Sequence, residues 1–255
     1  MPPPAREGDD SPGSSSFLRH QRAYFSKADP AHFVWSTTDT YLSPKEVGLL
    51  RLADIKETDG LLEVGCGEGG NLYWLSGRIR GAVGLDYSLE KVAFASQRVP
   101  RAAFLCGDAT RLPLRSESRD VILCRDVLHH VQDKHRVVAE MIRVARRGGR
   151  VVIIEPNGRN PVIAMQALLV RAERNALKST EMSLRALLRD FPLERVGLVW
   201  DDPFPLGRAL FHYRWGLPAL SRGMGKWLAA AERVLSRLTT QQSWSYMVWS
   251  GVRSR

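Results

Sequence analysis

Short apolar runs alternate with amphipathic segments through the central part of the chain. The runs have the length of buried strands and cover residues 61–64, 82–86, 103–106, 119–124 and 151–155. Between the last two, residues 133–145 place apolar side chains at helical spacing, and glycines 148 and 149 end that helix. Strands that alternate with helices pair in parallel and carry helices on both faces. The pattern therefore predicts an α/β fold built on a doubly wound, mostly parallel sheet.

The two ends of the chain carry different patterns. Residues 1–16 mix proline, glycine, serine and charge without apolar periodicity, which is typical of a disordered tail. Ser43 and Pro44 begin a helix that runs to about Asp54, since serine caps a helix and proline fits its first turn. An amphipathic helix is predicted at residues 161–178 and another helix at 183–191. Strands are predicted at 194–200 and 243–252.

The run Leu61–Gly70 places glycines at 65, 67, 69 and 70 directly after a predicted strand. Only glycine accepts the backbone angles and the close ligand approach of such a turn, so the turn is a candidate ligand cradle. The spacing Gly65-x-Gly67-x-x-Gly70 also satisfies the dinucleotide fingerprint, which keeps an NAD(P)-dependent oxidoreductase open as an alternative. Glu63 lies two residues before the first glycine. Its negative carboxylate would repel a pyrophosphate but would attract a cationic ligand.

Three further stretches follow predicted strands at the same edge of the sheet. Asp86 lies about 20 residues beyond the glycines, where a carboxylate can accept both ribose hydroxyls of an adenosyl ligand. Gly107-Asp108-Ala109 follows the third strand, and the run from Arg125 to Val131, with His129-His130, follows the fourth. Together with the glycine turn, these stretches resemble the motifs of class I S-adenosylmethionine (SAM)-dependent methyltransferases. They are similar to the ubiquinone/menaquinone-type small-molecule enzymes over residues 20–156.

The resemblance implies a Rossmann-like sheet of seven strands with an antiparallel last strand, and SAM as the cofactor. It also implies a set of cofactor-binding residues at the carboxyl edge of that sheet: Glu63, Gly65, Cys66, Gly67, Gly69, Asp86, Tyr87, Asp108, Ala109 and Arg125. Asp86 would hold the ribose and Asp108 the adenine amino group, while Glu63 would lie beneath the methionine moiety.

The same resemblance divides the chain into parts of one domain over residues 17–255. Residues 17–58 would form an N-terminal lid and the first helix, and residues 59–156 the SAM-binding core. Residues 157–180 and 203–242 would form substrate-cap helices, and residues 243–253 the last strand.

His129 and His130 are the candidate catalytic residues, because a histidine near its ordinary pKa can take a proton from an acceptor group at neutral pH. The alternative is that both are structural, since methyl transfer from a sulfonium can be catalysed by positioning alone. The resemblance also implies acceptor-binding residues in the N-terminal lid and after the fifth strand: Tyr24, Tyr41, Glu155 and Asn157.

Net charge and cysteine content narrow the classes of partner. The chain of 255 residues carries 37 Lys and Arg against 27 Asp and Glu, a net charge of +10 that suits polyanions, anionic membranes or simply a solvated surface. Base-methylating members of the family that the chain resembles usually carry an Asn/Asp-Pro-Pro-aromatic run after the fourth strand. This sequence has Arg125-Asp-Val-Leu there, so no nucleic-acid partner is expected. Three cysteines without paired spacing indicate neither a disulfide framework nor a metal site.

A basic, aromatic stretch at residues 208–237 allows two interpretations. It contains six Lys or Arg and one glutamate, with Phe211, Tyr213, Trp215 and Trp227 between them. Such a segment can lie in a membrane interface, or its aromatic rings can pack within a substrate cap. The sequence has no signal-peptide pattern and no long apolar span, so we expect a cytoplasmic protein, with peripheral membrane contact as one interpretation of this stretch.

The sequence thus predicts a SAM-dependent methyltransferase for a small, hydrophobic or amphiphilic acceptor. A nicotinamide oxidoreductase and a nucleic-acid methyltransferase or SAM-binding module remain the alternatives. The oxidoreductase would leave Glu63 and the Gly107-Asp108 turn without a role.

Overall fold

A seven-stranded β-sheet forms the centre of the protein in the computed structural model, which describes residues 15–79, 81–203, 205–214 and 216–254. The strands are β1 (Gly60–Val64), β2 (Gly81–Asp86), β3 (Ala102–Cys106), β4 (Arg119–Arg125), β5 (Ala145–Pro156), β6 (Leu193–Asp201) and β7 (Tyr246–Arg253). Their order across the sheet is β3-β2-β1-β4-β5-β7-β6. The first five strands in this order pair in parallel, whereas β7 lies antiparallel to both β5 and β6. The predicted doubly wound, mostly parallel sheet of seven strands is confirmed.

Helices surround the sheet on both faces. They are α1 (Ser15–Phe25), α2 (Pro30–Thr38), α3 (Leu42–Leu52), α4 (Gly70–Leu75), α5 (Leu89–Arg98), α6 (Lys134–Val144), α7 (Pro161–Leu169), α8 (Glu181–Leu188), α9 (Leu206–Leu210) and α10 (Ser221–Leu235). Short 3₁₀ helices lie at Leu128–His130, Arg171–Lys178, Pro218–Leu220, Ser236–Leu238 and Gln241–Ser243. None of the described helices is long and apolar enough to cross a bilayer.

Alternate residues of the central strands pack into two separate hydrophobic cores, one on each face of the sheet. Leu62 and Ile122 pack on one face of the sheet with Met141 of α6, and Leu61 and Leu123 pack on the other face with α3 and α4. This alternation is the two-residue period of a strand, and burial on both faces explains why the strands are continuous apolar runs. The carboxyl ends of β1, β2 and β4 consequently meet at one edge, which positions the site.

Local side-chain caps fix where several helices begin. Ser88 accepts a hydrogen bond from the backbone N–H of Lys91 at the start of α5. Asn160 accepts from the N–H groups of Val162 and Ile163, directly before Pro161. α7 therefore starts at the proline.

The structure differs from the predicted elements in several places. Helix α3 begins at Leu42 after Tyr41, so Ser43 lies inside the helix and does not cap it. The predicted helix over 161–178 breaks at Val170, whose backbone is extended, and continues as the 3₁₀ helix Arg171–Lys178. Helix α6 ends at Val144 because Ala145 is already extended and begins β5. Of the predicted tail at 1–16, residues 1–14 lie outside the described residues, and Ser15 and Ser16 begin α1.

The segments before and after the core meet over the carboxyl edge of the sheet. Trp35 and Tyr41 from the N-terminal segment pack with Phe211, which follows α9. Beneath them lies a buried charge network, defined as Lys45, Glu46, Asp202, Arg208 and Glu232. The structure therefore places α1–α3 and α9–α10 together above the site. Trp215, one of the aromatic residues of the 208–237 stretch, lies outside the described residues.

Candidate active site

A cavity of about 780 Å³ opens at the carboxyl edge of the sheet. The glycine turn, Asp86 and Asp108 line one part of it, and residues from α1, α2, α7 and α9 line the other. Its volume lies within the range of small-molecule sites. We refer to the first part as the strand-end half and to the second as the cap half.

The glycine turn is shaped by contacts that a side chain would prevent. Gly65 has φ +76° and donates its N–H to the carbonyl of Leu85 at 2.7 Å. A Cβ on Gly65 would lie 2.2 Å from Cγ2 of Val127, and one on Gly69, where φ is +84°, would lie 3.1 Å from Ala95. Both positions therefore require glycine because the backbone is left-handed and the space is taken.

Asp86 connects the turn to the start of α5. Its Oδ2 accepts a hydrogen bond from Gly67 N at 3.0 Å and its Oδ1 accepts one from Ser88 N at 2.9 Å. The carboxylate is buried, and burial raises its pKa. Each oxygen has a second lone pair, so the pair of oxygens can accept two further bonds from a diol in the cavity.

Glu63 is a wholly buried carboxyl group with one unsatisfied oxygen. Its Oε1 accepts a hydrogen bond from Nδ2 of Asn71, while Oε2 has no hydrogen-bond partner among the described residues. Burial raises the pKa of Glu63 to about 8, so the apo protein holds it mostly protonated at neutral pH. An adjacent cation would favour ionisation and satisfy Oε2, which fits the ammonium group of SAM.

Most of the predicted cofactor residues line the cavity together: Gly65, Cys66, Gly67, Asp86, Tyr87, Asp108, Ala109 and Arg125. Glu63 and Gly69 lie behind this lining. Oδ1 of Asp108 accepts from both N and Oγ1 of Thr110, which leaves Oδ2 for a ligand. The hydroxyl of Tyr87 donates to the carbonyl of Arg22 at 3.1 Å, so this ring also ties α1 to the strand-end half.

Arg125 joins the two halves of the cavity. Its Nη1 donates to Oδ1 of Asn71 at 3.0 Å, and its Nη2 lies 2.5 Å from Oε2 of Glu46. Burial opposes the charge, but Glu46 and Asp126 together with Tyr246 outweigh it and raise the pKa of Arg125. Glu46 also pairs with Arg208 at 2.8 Å. The charge of Arg125 is thus already paired with a carboxylate. The side chain also links α4, which follows the glycine turn, to the buried charge network under the cap.

The two histidines have opposite protonation. Nδ1 of His129 lies 2.7 Å from Oε2 of Glu155, and its Nε2 lies 3.4 Å from Oε2 of Glu173. Burial opposes the charge on His129, but Glu155 and Glu173 together outweigh it and raise the pKa of His129 to about 10. Burial and the neighbouring His129 cation lower the pKa of His130 to about 3. The pair therefore consists of an imidazolium and a neutral imidazole.

The hydrogen bonds of His130 fix its tautomer. Nε2 of Gln21 donates both to the carbonyl of Ala172 and to Nδ1 of His130, each at 2.9 Å. The ring proton then lies on Nε2, 3.8 Å from Glu173. His129, His130 and Glu173 have ligand atoms within 4.8 Å of one another, but both ring nitrogens that face Glu173 carry protons in this arrangement, and a metal ion would have to displace them. Neither ring presents a free lone pair to the cavity in this arrangement.

The predicted acceptor residues do not come together. Tyr24 lines the cavity and its hydroxyl accepts a hydrogen bond from Nη1 of Arg214 at 2.8 Å. Tyr41, Glu155 and Asn157 lie outside the lining. Tyr41 donates to Glu232 at 2.7 Å, and Asn157 donates to two backbone carbonyls before β7. Glu155 accepts from three backbone N–H groups of residues 127–129 and holds the 3₁₀ turn that carries the histidines.

Several residues of the cap half are missed by the sequence analysis. Glu173, Arg208 and Arg214 line the cavity, although they lie far from the motifs in sequence. Glu173 falls in a stretch predicted as one amphipathic helix, and no local signal marks it as facing the site. Gln21 is different, because it opens the lid pattern Gln21-Arg-Ala-Tyr24-Phe25 that the sequence displays.

The strand order, the antiparallel β7, the left-handed glycine turn and the two strand-end carboxylates define the class I fold of SAM-dependent methyltransferases. A family model described as a methyltransferase domain matches residues 62–153. A phosphatidylethanolamine N-methyltransferase from Cereibacter sphaeroides is 32% identical over 144 residues, which cover 53% of this chain and 70% of that protein. The chain belongs to the family of SAM-dependent methyltransferases, as the sequence motifs predict.

Other similar proteins agree with this family. A "Probable S-adenosylmethionine-dependent methyltransferase" from Mycolicibacterium smegmatis is 37% identical over 112 residues, which cover 44% of each chain. The chain spans less than half the length of the first curated relatives that it matches. A solved structure of a "possible histamine N-methyltransferase" from Thermotoga maritima shares the fold, with a TM-score of 0.66 at 18% identity over 93% of this chain and 100% of that one.

Proposed function

We propose that this protein transfers the methyl group of SAM to a small, amphiphilic acceptor bound in the cap half of the cavity. The observation that carries the proposal is the pair of strand-end carboxylates around the glycine turn. Asp86 is held by two backbone N–H groups and keeps lone pairs for a diol, and Glu63 keeps one buried oxygen unpaired. A ligand with a ribose and an ammonium group matches both.

The cofactor would lie along the strand-end half. Asp86 would accept the ribose hydroxyls, Asp108 would accept from the adenine amino group through its free Oδ2, and Tyr87 would contact the adenine face. Gly65 and Gly67 would let the backbone approach the methionine moiety, with Glu63 opposite the ammonium group. When bound, SAM supplies a methyl group made electrophilic by its sulfonium.

The chain would contribute to the reaction mainly by positioning and by excluding water. Alignment of an acceptor with a reacting centre can account for much of a barrier reduction, and displacement at a methyl group needs an in-line approach. The lid residues Gln21, Tyr24 and Phe25 and the cap residues around Arg208 close the cavity from above. The His129 imidazolium, held between Glu155 and Glu173, would fix the turn at the cavity floor rather than take a proton.

The acceptor class is inferred from the lining of the cap half. Phe25, Trp35 and Tyr213 offer aromatic surface there, and Glu173 and Arg214 offer charges of both signs. An amphiphile would satisfy both kinds of surface. The similarity to a protein named phosphatidylethanolamine N-methyltransferase supports a lipid-like acceptor.

Methyl transfer from labelled SAM into a cell extract tests the acceptor class. After incubation with the protein, the extract is separated into organic, aqueous and macromolecular fractions. Label in the organic fraction, absent with Asp86→Ala, supports a lipid-like acceptor. Label in the aqueous fraction alone supports a small polar acceptor, and label in nucleic acid would overturn the proposal.

Asp120→Ala is the matched control for Asp86→Ala in that assay. Asp120 also accepts a backbone N–H, from Gly60 at 2.8 Å, but it lies at the amino end of β4, away from the cavity. Transfer by Asp120→Ala should resemble that of the unmodified protein. Loss of transfer in both variants would point to a folding defect instead of a binding role for Asp86.

A further inference from the structure

Helix α10 buries a mixed side, on which Leu228 and Ala229 pack against the aromatic cluster, and turns its most apolar side toward solvent. Ser221, Gly225 and Glu232 are buried, whereas Met224 is 49% exposed and Trp227 79% exposed. Surface helices of globular proteins ordinarily keep polar and charged residues on the outer side and place the apolar stripe on the core. We therefore expect a binding partner to cover the outward apolar side of α10.

The orientation of α10 is fixed by specific bonds. The buried carboxylate of Glu232 accepts from the hydroxyl of Tyr41 at 2.7 Å, from Nζ of Lys45 at 2.8 Å and from Gly207 N at 3.3 Å. Rotating the helix to bury its apolar side would break these bonds and leave the Lys45 ammonium with one carboxylate fewer. The helix is thus locked with its apolar side outward.

The exposed apolar residues form one continuous stripe, defined as Leu220, Met224, Trp227, Val234 and Leu238. Their spacing in steps of three, four and seven residues places them on one side of a helix. Trp227 and Leu238 are 79% and 81% exposed, and the other three are also exposed. Surface this apolar and contiguous marks an interaction site.

The charges beside the stripe are of one sign. Arg222, Lys226, Arg233 and Arg237 are exposed on the same segment, and Glu232, the single acidic residue between 217 and 238, is buried. The solvent-facing side of α10 consequently presents only positive charge next to apolar surface. Lysine, arginine and tryptophan around an apolar stripe are the composition of helices that lie in a membrane interface.

We propose that the stripe and its flanking cations dock on the surface of an anionic lipid bilayer. The 15 residues of α10 span about 22 Å at a rise of about 1.5 Å per residue. The helix would lie flat on the bilayer because the apolar stripe runs along one side of it. A second copy of the chain is the competing occupant, but two such faces would bring like charges together, whereas anionic lipids neutralise them. This inference does not rest on the proposed function.

The position of the surface also bears on access to the cavity. Helix α10 contacts α9, and α9 contributes Arg208 to the lining of the cap half. A bilayer held by the outer side of α10 would thus lie against the same cap that closes the cavity. An amphiphile leaving that bilayer would have a short path to the site.

Co-sedimentation of the full chain with vesicles tests the proposal. Vesicles of phosphatidylcholine and phosphatidylglycerol in equal parts are compared with vesicles of phosphatidylcholine alone. The protein should pellet with the anionic vesicles, and added salt should weaken its binding because surface charge attraction is screened. Trp227→Ser should lower the partition coefficient by about tenfold or more, since the indole supplies much of the inserted apolar area.

Matched variants separate the two parts of the surface. Lys226→Glu with Arg233→Glu should remove the preference for anionic vesicles, whereas Arg78→Glu, an exposed arginine just after α4, should not. Leu89→Ser, which removes an apolar side chain 70% exposed at the start of α5, should bind as the unmodified protein does. Melting temperatures of all variants check that the fold is retained.

Two outcomes would overturn the membrane assignment. One is an absence of binding to anionic vesicles at low salt. The other is equal binding by Trp227→Ser and the unmodified chain. A dimer in sedimentation velocity that Trp227→Ser dissociates, without vesicle binding, would assign the stripe to a second copy instead. Titration with S-adenosylhomocysteine, run on the same variants, should be unchanged and so keeps this test separate from the proposed function.

Discussion

The protonation of Glu63 should make cofactor affinity depend on pH. The carboxyl group is wholly buried, its pKa is raised to about 8, and its Oε2 lacks a hydrogen-bond partner among the described residues. A ligand with an ammonium group favours the ionised form, so binding should release a proton below pH 8. Affinity should therefore rise with pH up to about 8 and then level off.

The size of the effect follows from the ionised fraction of the apo protein. With a pKa of about 8, about half of Glu63 is ionised at pH 8 and about one hundredth at pH 6, so affinity should fall about fiftyfold between them. That factor corresponds to about 2.4 kcal/mol of binding free energy. Pairing with the ammonium group lowers the pKa of Glu63 in the complex to below about 6, so the bound carboxylate stays ionised over this pH range.

Calorimetric titration with S-adenosylhomocysteine over this pH range measures the effect. Glu63→Gln is the decisive variant, because the amide cannot ionise but can still accept the bond from Asn71. Its affinity should lie well below that of the unmodified protein at pH 8 and approach it at pH 6. Any slope left in the variant reports titration of the ligand itself. Equal slopes in the two proteins would refute a contact between Glu63 and the ammonium group.

Three further predictions concern the turn, the histidines and the cap. Gly65→Ala should lower the free energy of unfolding by about 1–3 kcal/mol or prevent folding, because its Cβ would overlap Val127 and the backbone is left-handed. Denaturant unfolding measures this, and a midpoint equal to that of the unmodified protein would contradict it. Nitrogen chemical shifts at pH 7.5 should show His129 protonated and His130 neutral, and two ordinary titrations near the reference value would disprove the assignment. Glu232→Gln should lower the free energy of unfolding by about 1.5–3 kcal/mol and speed proteolysis within α10, because it removes a charged acceptor of three hydrogen bonds. An unchanged cleavage rate would contradict the role of Glu232 in holding α10.

The sequence predicts the part of this fold that depends on local pattern. Strands such as 82–86 are continuous apolar runs because both faces of the sheet are covered, and the glycines at 65 and 69 are needed where φ is positive. The strand-end carboxylates could be found for the same reason, since strand, turn and acidic residue follow one another within a short segment. SAM as the family's cofactor and the seven-stranded sheet are confirmed.

The cap half could not be predicted in the same way, because tertiary contacts decide it. The break at Val170 turns one amphipathic pattern into a helix and a 3₁₀ segment, and that segment brings Glu173 to the histidines. The resemblance predicts Glu155 near the methyl acceptor, but its carboxylate lies behind the site and accepts hydrogen bonds from backbone N–H groups. The outward side of α10 depends on the partners of Glu232, which lie far away in sequence.

Binding of S-adenosylhomocysteine, with NADH as the comparison ligand, tests the central claim most directly. Isothermal titration of the unmodified protein should give one site for S-adenosylhomocysteine and no heat with NADH. Asp86→Ala should weaken that site by about tenfold or more, because charge-assisted bonds to the ribose are worth about 1.5–3 kcal/mol each. Asp120→Ala should leave it unchanged. Binding of NADH in place of S-adenosylhomocysteine, or full affinity in Asp86→Ala, would contradict the assignment of this cavity to SAM.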